Sequence, residues 1–520
     1  MVSSQAMSTC TPGAIPYPAI FGAEFVAIEA QPVLNFTLPG LSLNWINHGP
    51  LPNIAVDFCN VTLTHTHPGK NDTLRTQIWL PLNPNWNNRM LMAGGGGWSA
   101  GLGLTSDSTM YGAVTDGYAT STVDGGRPID NTSSAASWAL SSPGNVDYDA
   151  LQDFAFNGLI DGALATKSVI ESFYGQGPDY SYWNGCSQGG RQGYMFAQRF
   201  PDIFDGIAAA APAINWNSLF FASTFPQQVL FELELELDEF PHPCEYDSLR
   251  KAAIAACDGN DGLIDGLISD PDSCYFDPHT LVGSPINCSD SAGPSVISEA
   301  AAIAMKAVWQ GARTGDGSFV WYPHGYETEV TAGINILQST CSNNGTCVPA
   351  RLSLFTDWIK YFIKKNPEYN LNNMTRQEWV SAFHAGMREY TSIIGTDYPD
   401  LSEFRASGGK LLTYHGLADA LIPYGGTRDY YERVSNLDPN LRDFYRYFEA
   451  PGAAHCTAGV GGVPAGAFAA LVDWVEHGVA PETLVAKNLA DKERLLCLYP
   501  KKAVFTGNPS KYTAQDFVCK

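Results

Sequence analysis

A chain of 520 residues exceeds what one hydrophobic core organises, which excludes a small binding module and implies two domains or one large domain carrying an insertion. Its 30 basic and 53 acidic side chains give a formal charge of −23, a field that repels phosphate backbones and anionic lipid and so excludes nucleic acid and membrane as partners. Apolar residues make up 45% and charged residues 16%, and no apolar run of about eighteen residues is present, the pattern of a soluble globular chain.

In chain order, residues 74–80 and 89–93 are predicted as short strands, the second running into the glycines Gly94 to Gly97. Residues 113–123 read as a further strand, and the apolar spacing from 149 to 175 as one long amphipathic helix. A strand over 180–184 is broken by Gly185. A helix over 190–199 follows, stopped by Pro201, and then a buried strand over 205–212. Strand, helix, strand in this order implies a parallel sheet. The pattern lapses near Ala213 and resumes at the buried strand beginning at Lys410, followed by a helix over 424–434, a strand over 444–450 and a helix over 465–477. Residues 1–212 and 396–520 therefore read as one α/β catalytic domain, and 213–395 as an inserted domain. The acidic run at 232–239 reads as a solvated face of that insert.

Twelve cysteines, an even count with no CxxC pair, point to six disulfides rather than zinc or redox motifs. Seven N-x-S/T sequons, at Asn35, Asn60, Asn71, Asn131, Asn287, Asn344 and Asn373, agree with a secreted, glycosylated protein. The first residues lack the apolar core of a signal peptide, as expected of a mature form whose leader has been removed.

Gly185-Cys186-Ser187-Gln188-Gly189 fits G-x-S-x-G between a predicted strand and a predicted helix, the context that projects a serine hydroxyl from a sheet edge. Serine needs a base held by a carboxylate, in the order Ser, Asp, His. Asp419 follows the strand that begins at Lys410, and His455 follows the strand over 444–450, so each stands where a loop leaves the sheet. His415 is expected to pack the acid loop. His65 and His67 alternate along a strand and could chelate a metal, but no third ligand lies near them in sequence, so they are set aside, and His324 has no supporting context. Cys186 adjoins the serine and Cys456 the histidine. If Ser187 and His455 meet, their neighbours come close to disulfide range.

The combination of G-C-S-Q-G-G with a downstream H-C resembles the tannase and feruloyl esterase family over most of the chain. The resemblance implies an α/β-hydrolase fold with a large inserted lid domain, Ser187 as nucleophile, Asp419 as acid, His455 as base, and a bridge between Cys186 and Cys456. It further implies a secreted serine carboxylesterase that cleaves feruloyl or galloyl esters of plant polysaccharides or tannins. No organic cofactor is expected, and a homodimer is left open.

Asp258, Asp261 and Asp265 crowd one glycine-bent loop, and oxygen-only ligands so spaced suit Ca2+. The resemblance adds backbone carbonyls of Leu263 and Leu267 and a structural role for the ion; Cys257 and Cys274 bracket the loop as an expected pair. For the oxyanion, one donor is the N–H of Gln188 and the other is expected from the glycine loop, with Gly96 favoured. Aromatic residues of the insert, Trp216 and Phe220 among them, are expected mostly in its core, a few walling a pocket for a flat acyl group. The rival readings are a serine peptidase on the same fold and a non-catalytic calcium-binding glycoprotein.

Overall fold

Nine strands form one mixed sheet: β1 (Glu24–Phe36), β2 (Val56–Thr66), β3 (Leu74–Pro81), β4 (Arg89–Ala93), β5 (Ala119–Val123), β6 (Tyr180–Cys186), β7 (Gly206–Ala210), β8 (Lys410–Gly416) and β9 (Tyr445–Ala450). Their spatial order is β1-β2-β3-β5-β4-β6-β7-β8-β9. The coordinates are a computed structural model describing residues 9–38, 46–51, 53–82, 84–127, 134–237, 240–288, 293–331, 336–342 and 346–520. The strands from β1 to β3 pair antiparallel and β3 pairs antiparallel with β5, whereas every pairing from β5 onward to β9 is parallel. Parallel strands need covered faces, and β5 and β7 are buried at every residue.

Alternation along the strands distributes side chains to two cores. Met90, Met92 and Trp183 face one side, with residues such as Leu159 and Ala163 of helix α2 and Tyr194 and Phe196 of helix α3. Leu91 and Tyr182 face the other, with Ala113 of α1 and Phe468 and Leu471 of α9. These helices are α1 (Leu104–Thr115), α2 (Gly158–Tyr174), α3 (Gln188–Arg199) and α9 (Ala467–His477), and α8 (Tyr424–Leu437) follows β8.

Between β7 and β8 lie α4 (Trp216–Leu237), α5 (Pro243–Cys257), α6 (Glu299–Gln310) and α7 (Arg376–Tyr390). Their core is not separate from that of the sheet. Trp98, in the loop after β4, packs against Trp216, Phe220 and Phe362, whose rings lie 5.3, 5.4 and 5.5 Å away, and all four belong to one contiguous cluster. The Trp98 indole N–H also donates to the Leu354 carbonyl at 3.0 Å. The segment is thereby seated on the sheet's carboxyl edge.

Two sequence expectations need correction. Residues 113–123 are not one strand: α1 runs to Thr115, the chain turns at Gly117 with φ +86°, and β5 begins at Ala119. Burial of Met110, Tyr111, Ala113 and Val114 along one helical stretch overrides the local strand propensity of this β-branched segment. The helix over 149–175 is three pieces, Tyr148–Gln152, a π turn at Asp153–Asn157, and α2. The π turn accommodates an extra residue and buries Asp153, Phe154 and Ala155.

All twelve cysteines are bridged, as 10–59, 186–456, 244–288, 257–274, 341–347 and 497–519. Asn35, Asn71, Asn287 and Asn373 are exposed, and Asn60 is half-buried on β2; Asn131 and Asn344 lie outside the described residues, as do the side chains of 234–239 in the acidic run.

Candidate active site

The turn between β6 and α3 places Ser187 at φ 63°, ψ −122°, a conformation that costs a non-glycine residue and is held by its surroundings. Its N–H donates to the Ala210 carbonyl at the end of β7, 3.1 Å away, and its carbonyl accepts from Arg191 and Ala213. The turn tolerates no side chain on its flanks. A Cβ on Gly185 would lie 2.5 Å from the Gly189 carbonyl carbon, and one on Gly190 would lie 2.5 Å from the Ala210 oxygen.

Asp419 and His455 leave the ends of neighbouring parallel strands, β8 and β9, so their loops rise together. His455 Nδ1 donates to Asp419 Oδ2 at 2.7 Å, which leaves Nε2 free to face a reacting group. Asp419 is 1% exposed and its other oxygen accepts from the N–H groups of Leu421 and Ile422 at 2.8 and 2.9 Å. His415 also meets this carboxylate. Its Nε2 lies 3.1 Å from both Asp419 Oδ2 and the Ile422 carbonyl, so that nitrogen carries the proton and Nδ1 accepts from Thr427 Oγ1. Burial pushes the Asp419 carboxyl up, but the charge of His455 and the hydrogen bonds of both His415 and His455 outweigh it and hold the group well below the ordinary carboxylate range. The sulfurs of Cys186 and Cys456 are bonded across 270 residues, with Cα atoms 6.0 Å apart.

Ser187 and His455 line one cavity of about 290 Å³ together with Gln188 and the glycines 95–97. Gly95 is pinned from both sides: its N–H donates to Gln192 Oε1 and its carbonyl accepts from Gly189, each at 2.9 Å. Among the described residues no partner takes the N–H of Gln188 or of Gly96. The remaining walls are apolar, with Trp216, Leu219, Phe220, Leu354 and Phe355 from the insert and Leu421 and Ile422 from the acid loop. Among the described residues, the polar groups lining the cavity are the side chains of Ser187, Gln188 and His455 and the indole N–H of Trp216, which is buried with no hydrogen-bond partner.

Four contributors had no local signal in the sequence. His324, which is buried, donates from Nδ1 to the backbone carbonyl of Asp419 at 3.1 Å. Burial lowers its basicity, so it remains neutral. Gly325 touches the acid loop so closely that a Cβ there would lie 2.0 Å from the Leu417 oxygen. Glu327 accepts from the N–H of Ile268 at 2.9 Å and of Gly452 at 3.2 Å, and burial pushes its carboxyl up to about 7. Arg191, one turn into α3, is fully buried with no carboxylate beside it among the described residues; its guanidinium donates to Gln188 Oε1, the Ala155 carbonyl and Thr396 Oγ1.

In the acidic loop of the insert, both oxygens of Asp258 accept from backbone N–H groups, of Asp265 and Gly266. Asp261 Oδ2 and Asp265 Oδ2 accept from Arg494 at 2.9 and 2.6 Å. Asp265 Oδ1 is buried with no partner, and the Cys257–Cys274 bridge closes the loop. Leu267 packs on Gly452, where a Cβ would lie 2.3 Å from Leu267 Cδ2.

The parallel part of the sheet, the serine at a strained strand-to-helix turn and the imidazole–carboxylate pair after β8 and β9 define an α/β-hydrolase. A family model described as "Tannase and feruloyl esterase" matches residues 59–520, and the chain belongs to that family. It is 37% identical to the probable feruloyl esterase of Arthroderma benhamiae, over 90% of this chain and 86% of that one. It is 30% identical to the tannase of Aspergillus oryzae, over 93% and 91%. Among solved structures, the tannin acyl hydrolase from Aspergillus niger superposes with a TM-score of 0.85 at 28% identity, covering 100% of this chain and 95% of that one. Feruloyl esterase B from Aspergillus oryzae superposes with 0.78 at 26%, covering 99% and 100%. The chain is a carboxylic ester hydrolase.

Proposed function

We propose that the protein is a secreted serine carboxylesterase that cleaves esters of phenolic acids through an acyl-enzyme, with Ser187 as nucleophile, His455 as base and Asp419 as its orienting acid. The observation that carries this reading is the line from Asp419 Oδ2 to His455 Nδ1 at 2.7 Å, with Ser187 and the far edge of that imidazole in one cavity. His455 Nε2 takes the Ser187 hydroxyl proton as Oγ attacks the ester carbonyl. The oxyanion receives the N–H groups of Gln188 and Gly96, which no described residue occupies, each worth roughly 3 to 4 kcal/mol. Collapse expels the alcohol, which takes the proton from His455. Water deprotonated by the same nitrogen then attacks the acyl-enzyme, releasing the acid and restoring Ser187.

For the acyl group, feruloyl and related hydroxycinnamoyl esters are favoured over galloyl. The aromatic and aliphatic walls built by Trp216, Phe220, Phe355 and Leu354 suit a planar ring, while three adjacent ring hydroxyls would find, beyond Ser187, Gln188 and His455, only the Trp216 indole N–H among the described residues. Asp258, Asp261 and Asp265, with the carbonyls of Leu263 and Leu267, hold a structural calcium ion in this reading. The fit rests on the Asp265 Oδ1 that has no partner among the described residues and on Asp261 and Asp265 sharing the single charge of Arg494, with Asp258 on the same loop. Six disulfides and four exposed sequons support passage through an oxidising secretory pathway.

The test is turnover of methyl ferulate, caffeate, p-coumarate, gallate and hexanoate by the wild type and by Ser187→Ala. Hydroxycinnamates should lead, and Ser187→Ala should abolish all turnover while keeping the native circular dichroism. Residual wild-type rates in that variant would remove the mechanism, and a preference for gallate would reverse the acyl assignment.

A further inference from the structure

Away from the ester cavity, β2, the turn after it and the helix beginning with the π turn gather two imidazoles and three carboxylates: His65, His67, Asp72, Asp153 and Asp161. None of them lines the cavity. His65 is 1% exposed, and neither of its ring nitrogens has a hydrogen-bond partner among the described residues. Its Nε2 faces Asp161 Oδ2 at 3.7 Å. The same oxygen lies 2.8 Å from His67 Nε2, and the three ligand atoms fall within 4.8 Å of one another. On its other side, His67 Nδ1 lies 2.5 Å from Asp72 Oδ2. Asp72 is itself fixed, since its Oδ1 accepts from the His67 N–H at 2.7 Å and from Thr66 Oγ1 at 2.9 Å.

A buried imidazole with both nitrogens unpaired forfeits about 1 to 3 kcal/mol for each unmade bond, so this position needs a further partner. The partner's chemistry follows from the donors. Two imidazole nitrogens and one carboxylate oxygen suit a zinc-class cation, whereas calcium takes oxygen alone. A carboxylate on the far nitrogen of a ligating histidine is the usual outer-shell arrangement around such a cation, and Asp72 supplies it for His67. The side chains of His67 and Asp161 are 13% and 11% exposed, which leaves a way in for the ion and room for a water at the fourth position. The other groupings of histidine with cysteine, His242 with Cys244 and Cys288 or with Cys341 and Cys347, have their sulfurs committed to disulfides.

We propose that His65, His67 and Asp161 bind one divalent transition cation of the zinc class, with Asp72 orienting His67, so that the ion fastens β2 to α2. The site is distinct from the calcium loop in donor type and in position, and it does not depend on the assignment of the ester chemistry.

The experiment uses the whole protein, stripped with chelator and resupplied with excess calcium, then titrated with Co(II) followed by Zn(II). One Co(II) per chain with a visible ligand-field band, displaced by Zn(II), is expected, together with a rise in unfolding temperature. His65→Gln and Asp161→Asn should each weaken binding at least about 100-fold, Asp72→Asn about 10- to 100-fold, and Asp258→Asn should leave it unchanged. Binding by the wild type weaker than about 100 µM would overturn the proposal, as would a natively folded His65→Gln protein that binds as the wild type does. If His65→Gln does not fold, X-ray absorption of the Co(II)-loaded wild type decides: two imidazole scatterers support the site, and an all-oxygen shell overturns it.

Discussion

The carboxylate of Glu327 accepts the N–H of Gly452, three residues before His455, while its other oxygen accepts the N–H of Ile268 beside the acidic loop. One buried side chain of the insert thus joins the acidic loop to the loop that carries the imidazole. Glu327→Ala strands both donors, at about 1 to 3 kcal/mol each, in a position that water cannot readily enter. We expect a stability loss of about 2 to 4 kcal/mol and a fall in kcat with KM nearly unchanged, since the cavity walls are untouched. Unaltered kcat and denaturation midpoint would show that the bridge has no mechanical role.

The bond between Cys186 and Cys456 closes a loop of 270 residues and makes the neighbours of Ser187 and His455 a single covalent unit. Chain entropy assigns such a closure on the order of 5 kcal/mol, an upper bound where the unfolded chain retains structure. Cys186→Ala with Cys456→Ala should lower the unfolding temperature and reduce kcat more than it raises KM. Calorimetry and steady-state kinetics on the double variant check this, and wild-type values in both would make the link incidental.

Asp419 is held below its ordinary value in the folded protein, so as pH falls the unfolded chain takes up that proton first. Its contribution is complete above about pH 4 and is lost below it. The difference in unfolding free energy between wild type and Asp419→Asn should therefore shrink as pH is lowered from about 6 to about 3, as measured by urea titration at each pH. A constant difference would contradict the ionised assignment. In kcat, Asp419→Asn should cost about four orders of magnitude, because asparagine cannot hold the imidazole with the proton on Nδ1.

What the sequence made legible was what is local. The turn at Ser187, the strand ends that precede Asp419 and His455, and the acidic loop at 258–267 each carry their signal within about ten residues, and α/β alternation marked the sheet from β3 onward. The contributions of His324, Gly325, Glu327 and Arg191 depend on contacts between segments far apart in the chain, such as His324 with the Asp419 carbonyl, which no periodicity encodes. The pair His65 and His67 illustrates the same boundary. No third ligand lies near them in sequence, yet α2 brings Asp161 within 2.8 Å of His67 from 94 residues away.

If the acidic loop holds calcium, chelation leaves Asp261 and Asp265 with Arg494 as their one cationic partner among the described residues and Asp258 on the same loop, and like-charge repulsion loosens the loop on which Leu267 packs against Gly452. The unfolding temperature should fall on chelation and recover with Ca2+ but not with Mg2+, which demands a small octahedral shell and gives up its water reluctantly. Asp265→Asn should abolish the response. A chelator-insensitive unfolding temperature would remove the ion from this loop.

Arg191 carries a positive charge into the first turn of α3, where its Nε donates to the Gln188 side chain at 2.7 Å and its guanidinium lies 5.8 and 5.7 Å from the Phe154 and Trp216 rings. Burial lowers its basicity to about 9, which still leaves it charged at neutral pH. Among the described residues no acid neutralises that charge, so in the proposed mechanism it adds to the field of the helix N-terminus that meets the developing oxyanion, and its bond to Gln188 orients the residue whose N–H is the proposed donor. Arg191 is thus a positioning residue. Arg191→Met, which keeps most of the volume but neither the charge nor the donors, should lower kcat about 10- to 100-fold with a much smaller change in KM. Arg191→Lys restores the charge without the fork that reaches Gln188, the Ala155 carbonyl and Thr396 together, and should recover only part of the rate. Equal kcat for wild type and a folded Arg191→Met protein would reduce the residue to packing.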